Sequence, residues 1–161
     1  MSLVQHVKSA CFSFHAQLWN LFVLDFLVKR AVLYFLTKPV PIGPCLTLEL
    51  SINRGISWGM FSSHNPWVFG GITVTVALFL AVFAWYVLLL RKHGVCTFAE
   101  TLVLVGGTSN FFDRLMYSGV VDFIHVHYAE WSFPVFNLAD VWVVTGVFLM
   151  LVQMFVTRKS A

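Results

Sequence analysis

Residues 67–90 read WVFGGITVTVALFLAVFAWYVLLL, and no side chain in this stretch carries a charge. A run of about 20 apolar residues is long enough to cross the hydrocarbon core of a bilayer as an α-helix. The basic turn Arg91-Lys92-His93-Gly94 follows at once and ends the stretch. We therefore predict a membrane-spanning helix here, and this stretch decides the class of fold.

The composition of the whole chain agrees with a membrane protein. Of its 161 residues, 59% are hydrophobic and 11% are charged, whereas soluble domains carry about 25% charged residues. Apart from 67–90, three further segments reach or approach spanning length, at about 14–36, 98–117 and 139–156. These spans leave no room for a separate soluble domain. We therefore expect one integral membrane domain, residues 1–161, with outer loops at about 37–66 and 118–138.

The distribution of Lys and Arg predicts the orientation of these helices. Basic residues on one side of the predicted spans are Lys8, the pair 91–92 and the pair 158–159. The loop 118–138 contains neither Lys nor Arg, and the loop 37–66 contains only Lys38 and Arg54. By the positive-inside rule both termini are cytoplasmic and the two longer loops are outside. The small net charge of +3 lies at segment ends, so it indicates topology and no nucleic-acid role.

The two outer loops contain segments with strand patterns. In residues 46–53 apolar and polar side chains alternate, which is typical of a half-buried strand. Residues 120–127 also have the composition of an extended segment. We predict that the two pair as a small sheet on the outer membrane surface. On such a strand Asp122 shares a face with Val120 and Ile124, and apolar surroundings favour a raised pKa for its carboxyl group.

Asp122 and Asp140 are the residues most indicative of function. Both adjoin long hydrophobic segments, and a carboxylate placed at bilayer depth is costly unless it faces a protein interior and serves a function. Two neighbouring carboxylates do not both ionise easily, so a shared proton makes one a base and the other an acid. This pattern predicts aspartyl protease chemistry at a membrane surface. The alternative for Asp140 alone is that it caps the fourth helix, and one residue can do both.

Further polar residues lie within the predicted helices. Asn110, Asp113 and Arg114 have i, i+3 and i+4 spacing and therefore share one helix face. The planar guanidinium of Arg114 is suited to hold peptide carbonyls or a carboxylate. Alternatively, Arg114 extends towards the interface and is neutralised by Asp113. Asp25 and Lys29 have i, i+4 spacing and are predicted to form an intramembrane ion pair.

The sequence predicts neither a metal nor another cofactor. His125 and His127 would point to the strand face opposite Asp122, so these three residues do not converge on one ion. The sequence contains no H-E-x-x-H motif. Gly106 and Gly107 lie within a helix pattern and are predicted to allow close helix packing.

Together these residues resemble the lipoprotein signal peptidases, the type II signal peptidases of bacteria. The family's Asp-x-x-x-Lys pattern on the first helix is matched by Asp25 and Lys29. The remaining matches, in family order, are Asn53-Arg-Gly55-Ile-Ser-Trp58-Gly59, Gly106-Gly107-Thr-Ser-Asn110-Phe-Phe-Asp113-Arg114, Val-Val-Asp122-Phe-Ile and Phe-Asn137-Leu-Ala-Asp140. The chain departs from the family at Phe26, Ser109 and Val141, where Gln, Gly and Ser are common.

The resemblance implies a four-transmembrane-helix bundle with a small extracytoplasmic β-sheet, or cradle, and a loop. It implies an aspartic endopeptidase of the bacterial cytoplasmic (inner) membrane with its active site at the outer face. The cyclic-peptide antibiotic of this family, globomycin, would serve to test the activity. Its substrates would be prolipoproteins, cut before the diacylglyceryl-modified cysteine, and it would work as a monomer. By the same resemblance Asp122 and Asp140 are catalytic. The residues implied to bind substrate or orient this pair are Asn53, Asn110, Arg114 and Asn137, and those implied to support it are Asp25, Lys29 and Asp113.

Two other classes of protein could use the same residues. Buried Asp and Arg groups also line ion pathways, so a small transporter or proton-conducting protein is the first alternative. The acidic residues cluster towards the outer side of the helices and do not form a relay through the membrane, which disfavours that alternative. A purely structural scaffold is disfavoured by the number of polar groups placed in so apolar a chain.

Overall fold

The described part of the chain folds into four helices and one small antiparallel sheet. The computed structural model describes the backbone of residues 3–55 and 65–158 and the side chains of 19–55 and 65–156. In chain order the elements are α1 (Leu3–Phe35), β1 (Val40–Gly43), β2 (Leu46–Asn53), α2 (Pro66–Lys92), α3 (Phe98–Tyr117), β3 (Val120–Tyr128), β4 (Trp131–Ser132) and α4 (Leu138–Arg158). This is the helical fold with a small sheet that the sequence predicts.

The helices extend beyond the apolar stretches that reveal them. Helix α1 begins at Leu3 and not near residue 14, because the apolar pattern marks only the part of a helix suited to lipid, whereas a helical backbone can continue through polar residues. Helix α2 begins at Pro66, where the Asn65 side chain caps the free Trp67 amide at 2.9 Å. Both α2 and residues 138–156 of α4 are long and apolar enough to cross a membrane.

Helix α3 is the central element of the bundle, and α1, α2 and α4 all pack against it. Half of its residues are buried, whereas α2 and α4 leave many large hydrophobic side chains exposed. Gly106 allows the close approach of α4, since a β-carbon there would overlap the carbonyl oxygen of Ala139. Gly107 faces the other way, and a β-carbon there would lie 2.7 Å from the Leu80 side chain of α2. The predicted packing role of this glycine pair is confirmed.

The sheet has the order β1-β2-β3-β4, with every neighbouring pair antiparallel. The predicted pairing of residues 46–53 with 120–127 is confirmed, and Ser51 lies opposite Asp122. The register shifts between Leu48 and Ser51, which indicates a bulge in β2.

The connections at the two ends of β3 bring the sheet against the helices. Helix α3 ends at Tyr117, and the following residue, Ser118, has a φ of 54° that turns the chain into β3. Further along, the backbone of Phe136 bonds to that of Ile124, with the Phe136 amide 3.0 Å from the Ile124 carbonyl oxygen. Residue 137 and the start of α4 are thereby held beside β3. The short chain segments on both sides of β3 therefore place α3, β3 and α4 around one point.

Candidate active site

A cavity of about 590 Å³ lies where α2, α3, α4 and β3 meet. At one end it is polar, and the residues there are Asn53, Asn110, Arg114, Asp122 and Asp140. The remaining walls are mostly apolar, contributed by α2, α4 and residues 133–136. Five of the predicted site residues therefore face one space, and they include both predicted catalytic aspartates.

Asp122 is a buried carboxyl group on β3, with 2% of the residue exposed. It accepts hydrogen bonds from the side-chain amides of Asn53 at 3.1 Å and Asn137 at 2.7 Å. Burial, and next to it the nearby charge of Asp140, raise the pKa of Asp122 to about 7, against the opposing effect of the two amide donors. The predicted upward shift is confirmed. Close to neutral pH, this carboxyl group exchanges readily between its two protonation states.

Asp140 lies in the first turn of α4. Its carboxylate accepts hydrogen bonds from the Asn110 side-chain amide at 2.8 Å and from the Asn137 backbone amide at 3.1 Å. The Asn137 side-chain oxygen in turn accepts a bond from the Asp140 backbone amide at 2.9 Å. This reciprocal pair is a capping box at the start of α4. Asp140 therefore both caps its helix and faces the cavity.

Asn137 connects the two aspartates. It is fully buried and precedes α4 by one residue. Besides its bonds to Asp140, its side-chain amide donates to Asp122 and lies 3.1 Å from the Asn110 side-chain oxygen and 3.3 Å from the Val121 carbonyl oxygen. Asn137 thus donates to both carboxyl groups, to Asp122 through its side-chain amide and to Asp140 through its backbone amide.

A buried ion cluster lies next to this polar end. The ammonium group of Lys29 is 2.8 Å from a carboxylate oxygen of Asp25 and 2.8 Å from one of Asp113. It also donates to the Asn110 side-chain oxygen at 2.9 Å, which joins the cluster to the residue that holds Asp140. The predicted Asp25–Lys29 pair is confirmed. The alternative in which Asp113 neutralises Arg114 is wrong, because the Asp113 carboxylate bonds to Lys29 and to the Val121 amide.

Arg114 is the cationic side chain of the cavity. One guanidinium nitrogen, Nη2, donates to the Gly55 carbonyl oxygen. The other, Nη1, is buried and has no hydrogen-bond partner among the residues that the structure describes. A buried donor without an acceptor is costly, so a group that binds in the cavity can satisfy it. A peptide carbonyl oxygen or a carboxylate has the required chemistry.

The sequence did not reveal three contacts that hold this site together. They are the hydroxyl of Ser109 and the backbone amide of Ala139, which both donate to Asp25, and the carbonyl oxygen of Gly55. Backbone groups leave no trace in a residue pattern, and Ser109 gave a signal only as a departure from the family motif. The motif residues Trp58 and Gly59 lie outside the described residues.

The two histidines of β3 belong to another environment. His125 is 3.2 Å from the Glu49 carboxylate and 2.7 Å from the Ser132 hydroxyl, and His127 is 2.9 Å from the Thr47 hydroxyl. Neither lines the cavity that contains Asp122. Along β3 the two histidines occupy positions that alternate with the face of Asp122, as the strand pattern predicts.

Comparison with known proteins gives consistent results for sequence and fold. The family model described as "Signal peptidase (SPase) II" matches residues 18–156. A protein named "Lipoprotein signal peptidase" from Coxiella burnetii (strain RSA 331 / Henzerling II) is 35% identical over 143 residues, 86% of each chain. One of the same name from Wigglesworthia glossinidia brevipalpis is 30% identical over 135 residues, 83% of this chain and 87% of the relative.

A solved structure extends the likeness to three dimensions. It is titled "Bacterial membrane enzyme structure by the in meso method at 2.3 A resolution" and superposes with a TM-score of 0.74 at 20% identity. The alignment covers 94% of this chain and 91% of that chain. At this identity, the likeness concerns the fold.

Proposed function

The chain belongs to the signal peptidase II family, and on that premise we propose that it is a membrane aspartyl endopeptidase that removes signal peptides from prolipoproteins. It cuts immediately before the cysteine that carries the diacylglyceryl group. The observation that carries this proposal is the position of Asp122 and Asp140 at the polar end of one cavity, joined through Asn137. Both are the catalytic residues of the proposed reaction.

The proposed reaction needs one ionised and one protonated carboxyl group. The ionised aspartate takes a proton from a water molecule, whose oxygen attacks the scissile carbonyl carbon. The protonated aspartate supports the carbonyl oxygen and then gives its proton to the leaving amine as the C–N bond breaks. The products are a signal peptide with a new carboxylate and a lipoprotein with a free amino group on its cysteine. The raised pKa of Asp122, about 7, suits this exchange at neutral pH, and the two groups titrate as a pair.

The other polar residues orient the pair or the substrate. Asn53 and Asn137 donate to Asp122, while Asn110 donates to Asp140, so amide donors fix both carboxyl groups. Arg114 lines the cavity, and its Nη1, which has no hydrogen-bond partner among the described residues, binds a carbonyl oxygen of the substrate chain. The supporting residues are Asp25, Lys29 and Asp113, whose charges hold Asn110 and the start of β3 in place.

The apolar part of the cavity takes the acyl chains of the substrate. Its walls include Val76 and Phe79 of α2 and Val143 and Val144 of α4, next to the polar end. Acyl chains bury well against such side chains, because removing apolar surface from water is favourable. The peptide part lies beside Asp122, under the sheet formed by β1 to β4.

We propose that the protein is a monomer in the bacterial cytoplasmic membrane. All four helices span the bilayer and form one domain. Both termini are cytoplasmic, and the sheet forms an extracytoplasmic cradle that covers the active site. The charge-free stretch 67–90 of α2 and the exposed apolar surfaces of α2 and α4 support this placement. The concentration of Lys and Arg at one set of helix ends supports the orientation.

The decisive experiment uses purified protein with a diacylated model prolipoprotein. We expect one cut before the lipid-modified cysteine, inhibition by globomycin, and no cut in the same precursor without its diacylglyceryl group. Proton or ion flux in protein-containing liposomes, together with an uncut precursor, would instead favour the transporter alternative. Mass spectrometry of the products locates the cleaved bond and separates this activity from contaminating peptidases.

A further inference from the structure

Ser109 is a buried hydroxyl residue for which neither the family motif nor the proposed reaction provides a role. It lies on α3, has 2% of its surface exposed, and directly precedes Asn110. Its Oγ donates to a carboxylate oxygen of Asp25 at 2.6 Å. The bond crosses from α3 to α1, so it does not belong to the hydrogen bonding of its own helix.

The Asp25 carboxylate is the point where three helices meet. Its Oδ2 accepts bonds from Ser109 of α3 and from Lys29 of α1, the latter at 2.8 Å. Its Oδ1 accepts a bond from the Ala139 backbone amide at 3.1 Å, in the first turn of α4. Ala139 is fully buried and directly precedes Asp140. Asp25 therefore holds the backbone turn that carries one of the two proposed catalytic carboxyl groups.

The hydroxyl of Ser109 also affects Lys29. A buried carboxylate that loses one of its donors draws more strongly on those that remain. Without the hydroxyl, Asp25 would therefore compete more strongly for Lys29, which also donates to the Asn110 side-chain oxygen at 2.9 Å. Asn110 in turn donates to Asp140 at 2.8 Å. Two short paths thus run from Ser109 to Asp140, one through Ala139 and one through Lys29 and Asn110.

We propose that Ser109 is a positioning residue of the peptidase, which fixes Asp140 through Asp25. The inference rests on the proposed function, because it assigns Asp140 to catalysis. It applies to this chain in particular, since glycine is common at this position in the family that the sequence resembles. A glycine offers no hydroxyl, so the α1–α3–α4 junction has here a bond that such relatives lack.

The test compares Ser109→Ala with Thr101→Val, a matched control. Thr101 lies on the same helix and is equally buried, but its hydroxyl bonds to the Thr97 carbonyl oxygen and to Arg91, away from Asp25. We expect Ser109→Ala to lower kcat about tenfold, the loss typical of one hydrogen bond to a charged group, with KM within about twofold of wild type. Thr101→Val should keep the wild-type kcat, whatever it does to the melting temperature.

Amide hydrogen exchange provides a second measurement that needs no substrate. The peptide that covers the first turn of α4 should exchange faster in Ser109→Ala than in wild type or Thr101→Val, since its Ala139 amide is bonded to Asp25. Should Ser109→Ala not fold, Ser109→Gly, the residue common in the family, replaces it in both measurements. Wild-type kcat together with wild-type exchange overturns the inference, as does an equal fall of kcat in Thr101→Val. A wild-type protein that leaves prolipoproteins uncut refutes the proposed function, while the exchange result still decides the inference.

Discussion

The side-chain amide of Asn137 lies 2.7 Å from the carboxyl group of Asp122, and this bond joins the start of α4 to the strand β3. The same residue forms a capping box with Asp140. One residue therefore contacts two carboxyl groups that come from different elements, Asp122 through its side-chain amide and Asp140 through its backbone amide.

Replacement of Asp122 tests whether its carboxyl group takes part in the reaction. Asp122→Asn keeps the size of the side chain but cannot exchange a proton, so we expect kcat to fall by about 10³-fold or more. Cleavage of the diacylated precursor is followed by gel shift and mass spectrometry. Glu49→Gln is the matched control, because Glu49 is a carboxylate of the same sheet whose described contact is with His125 and which does not line the cavity. Retained turnover in Asp122→Asn would reject aspartyl catalysis.

Asn137 should affect activity and stability separately. Asn137→Ser keeps a side-chain oxygen that can cap α4, so we expect a loss of stability below about 1 kcal/mol. It removes the amide donor to Asp122, so kcat should fall by about 10-fold to 100-fold. Asn137→Ala removes both functions and should additionally lower the free energy of unfolding by about 1–3 kcal/mol. Thermal unfolding in detergent and turnover are measured on both variants. Equal activity of Asn137→Ser and wild type contradicts the proposed role of the amide.

The raised pKa of Asp122 predicts how stability depends on pH. The folded pKa of about 7 exceeds that of an exposed aspartate, so the folded state binds this proton more tightly than the unfolded state. The resulting stabilisation is complete below about pH 4 and is lost as the pH rises through 7. Asp122→Asn removes this dependence. It should therefore melt at a higher temperature than wild type at pH 8, and the difference should shrink as the pH falls to 4. If the difference in melting temperature between the variant and wild type instead grew as the pH falls, the pH dependence would have the opposite sign and would contradict the raised pKa.

The two adjacent glycines of α3 should respond differently to alanine. In Gly106→Ala the new methyl group overlaps the Ala139 carbonyl oxygen, a backbone atom that moves only if α4 shifts. We expect the free energy of unfolding to fall by about 1–3 kcal/mol. We also expect this variant to lose most of its activity. In Gly107→Ala the methyl group meets only the end of the Leu80 side chain, which can rotate away. The second variant is therefore the control, and equal effects of both would argue against close packing of α3 on α4.

The sequence predicted the fold and the site to different depths. Long apolar stretches fix which parts of the chain are helical, and the alternation in 46–53 fixed the strand that pairs with 120–127, as the register of β2 and β3 confirms. Sequence spacing also placed Asn110, Asp113 and Arg114 on one helix. It could not assign their partners, because which cation neutralises Asp113 depends on how α1 packs against α3. The structure gives Lys29 that role and leaves Arg114 facing the cavity.

The parts that escaped prediction share a physical cause. The start of α1 was missed because backbone hydrogen bonds form in polar segments as well as in apolar ones, so the apolar pattern does not mark where the helix begins. The bonds to Asp25 from Ala139 and Ser109 join residues more than 80 positions apart, as does the bond from Lys29 to Asn110. Such contacts arise from the way α1 packs against α3 and α4, and a single sequence carries no measure of that packing.

The position of Asp140 at the start of the last helix has a consequence for biogenesis. Asp122 precedes α4 in the chain, whereas Asp140, its cap and the amide that Asp25 holds all belong to the junction with α4. Under the proposed mechanism, a nascent polypeptide whose final segment is still in the ribosome or translocon has only one of the two carboxyl groups in place and cannot hydrolyse a peptide bond. Such a protein would gain proteolytic competence only after α4 is inserted, so an immature copy could not damage its neighbours.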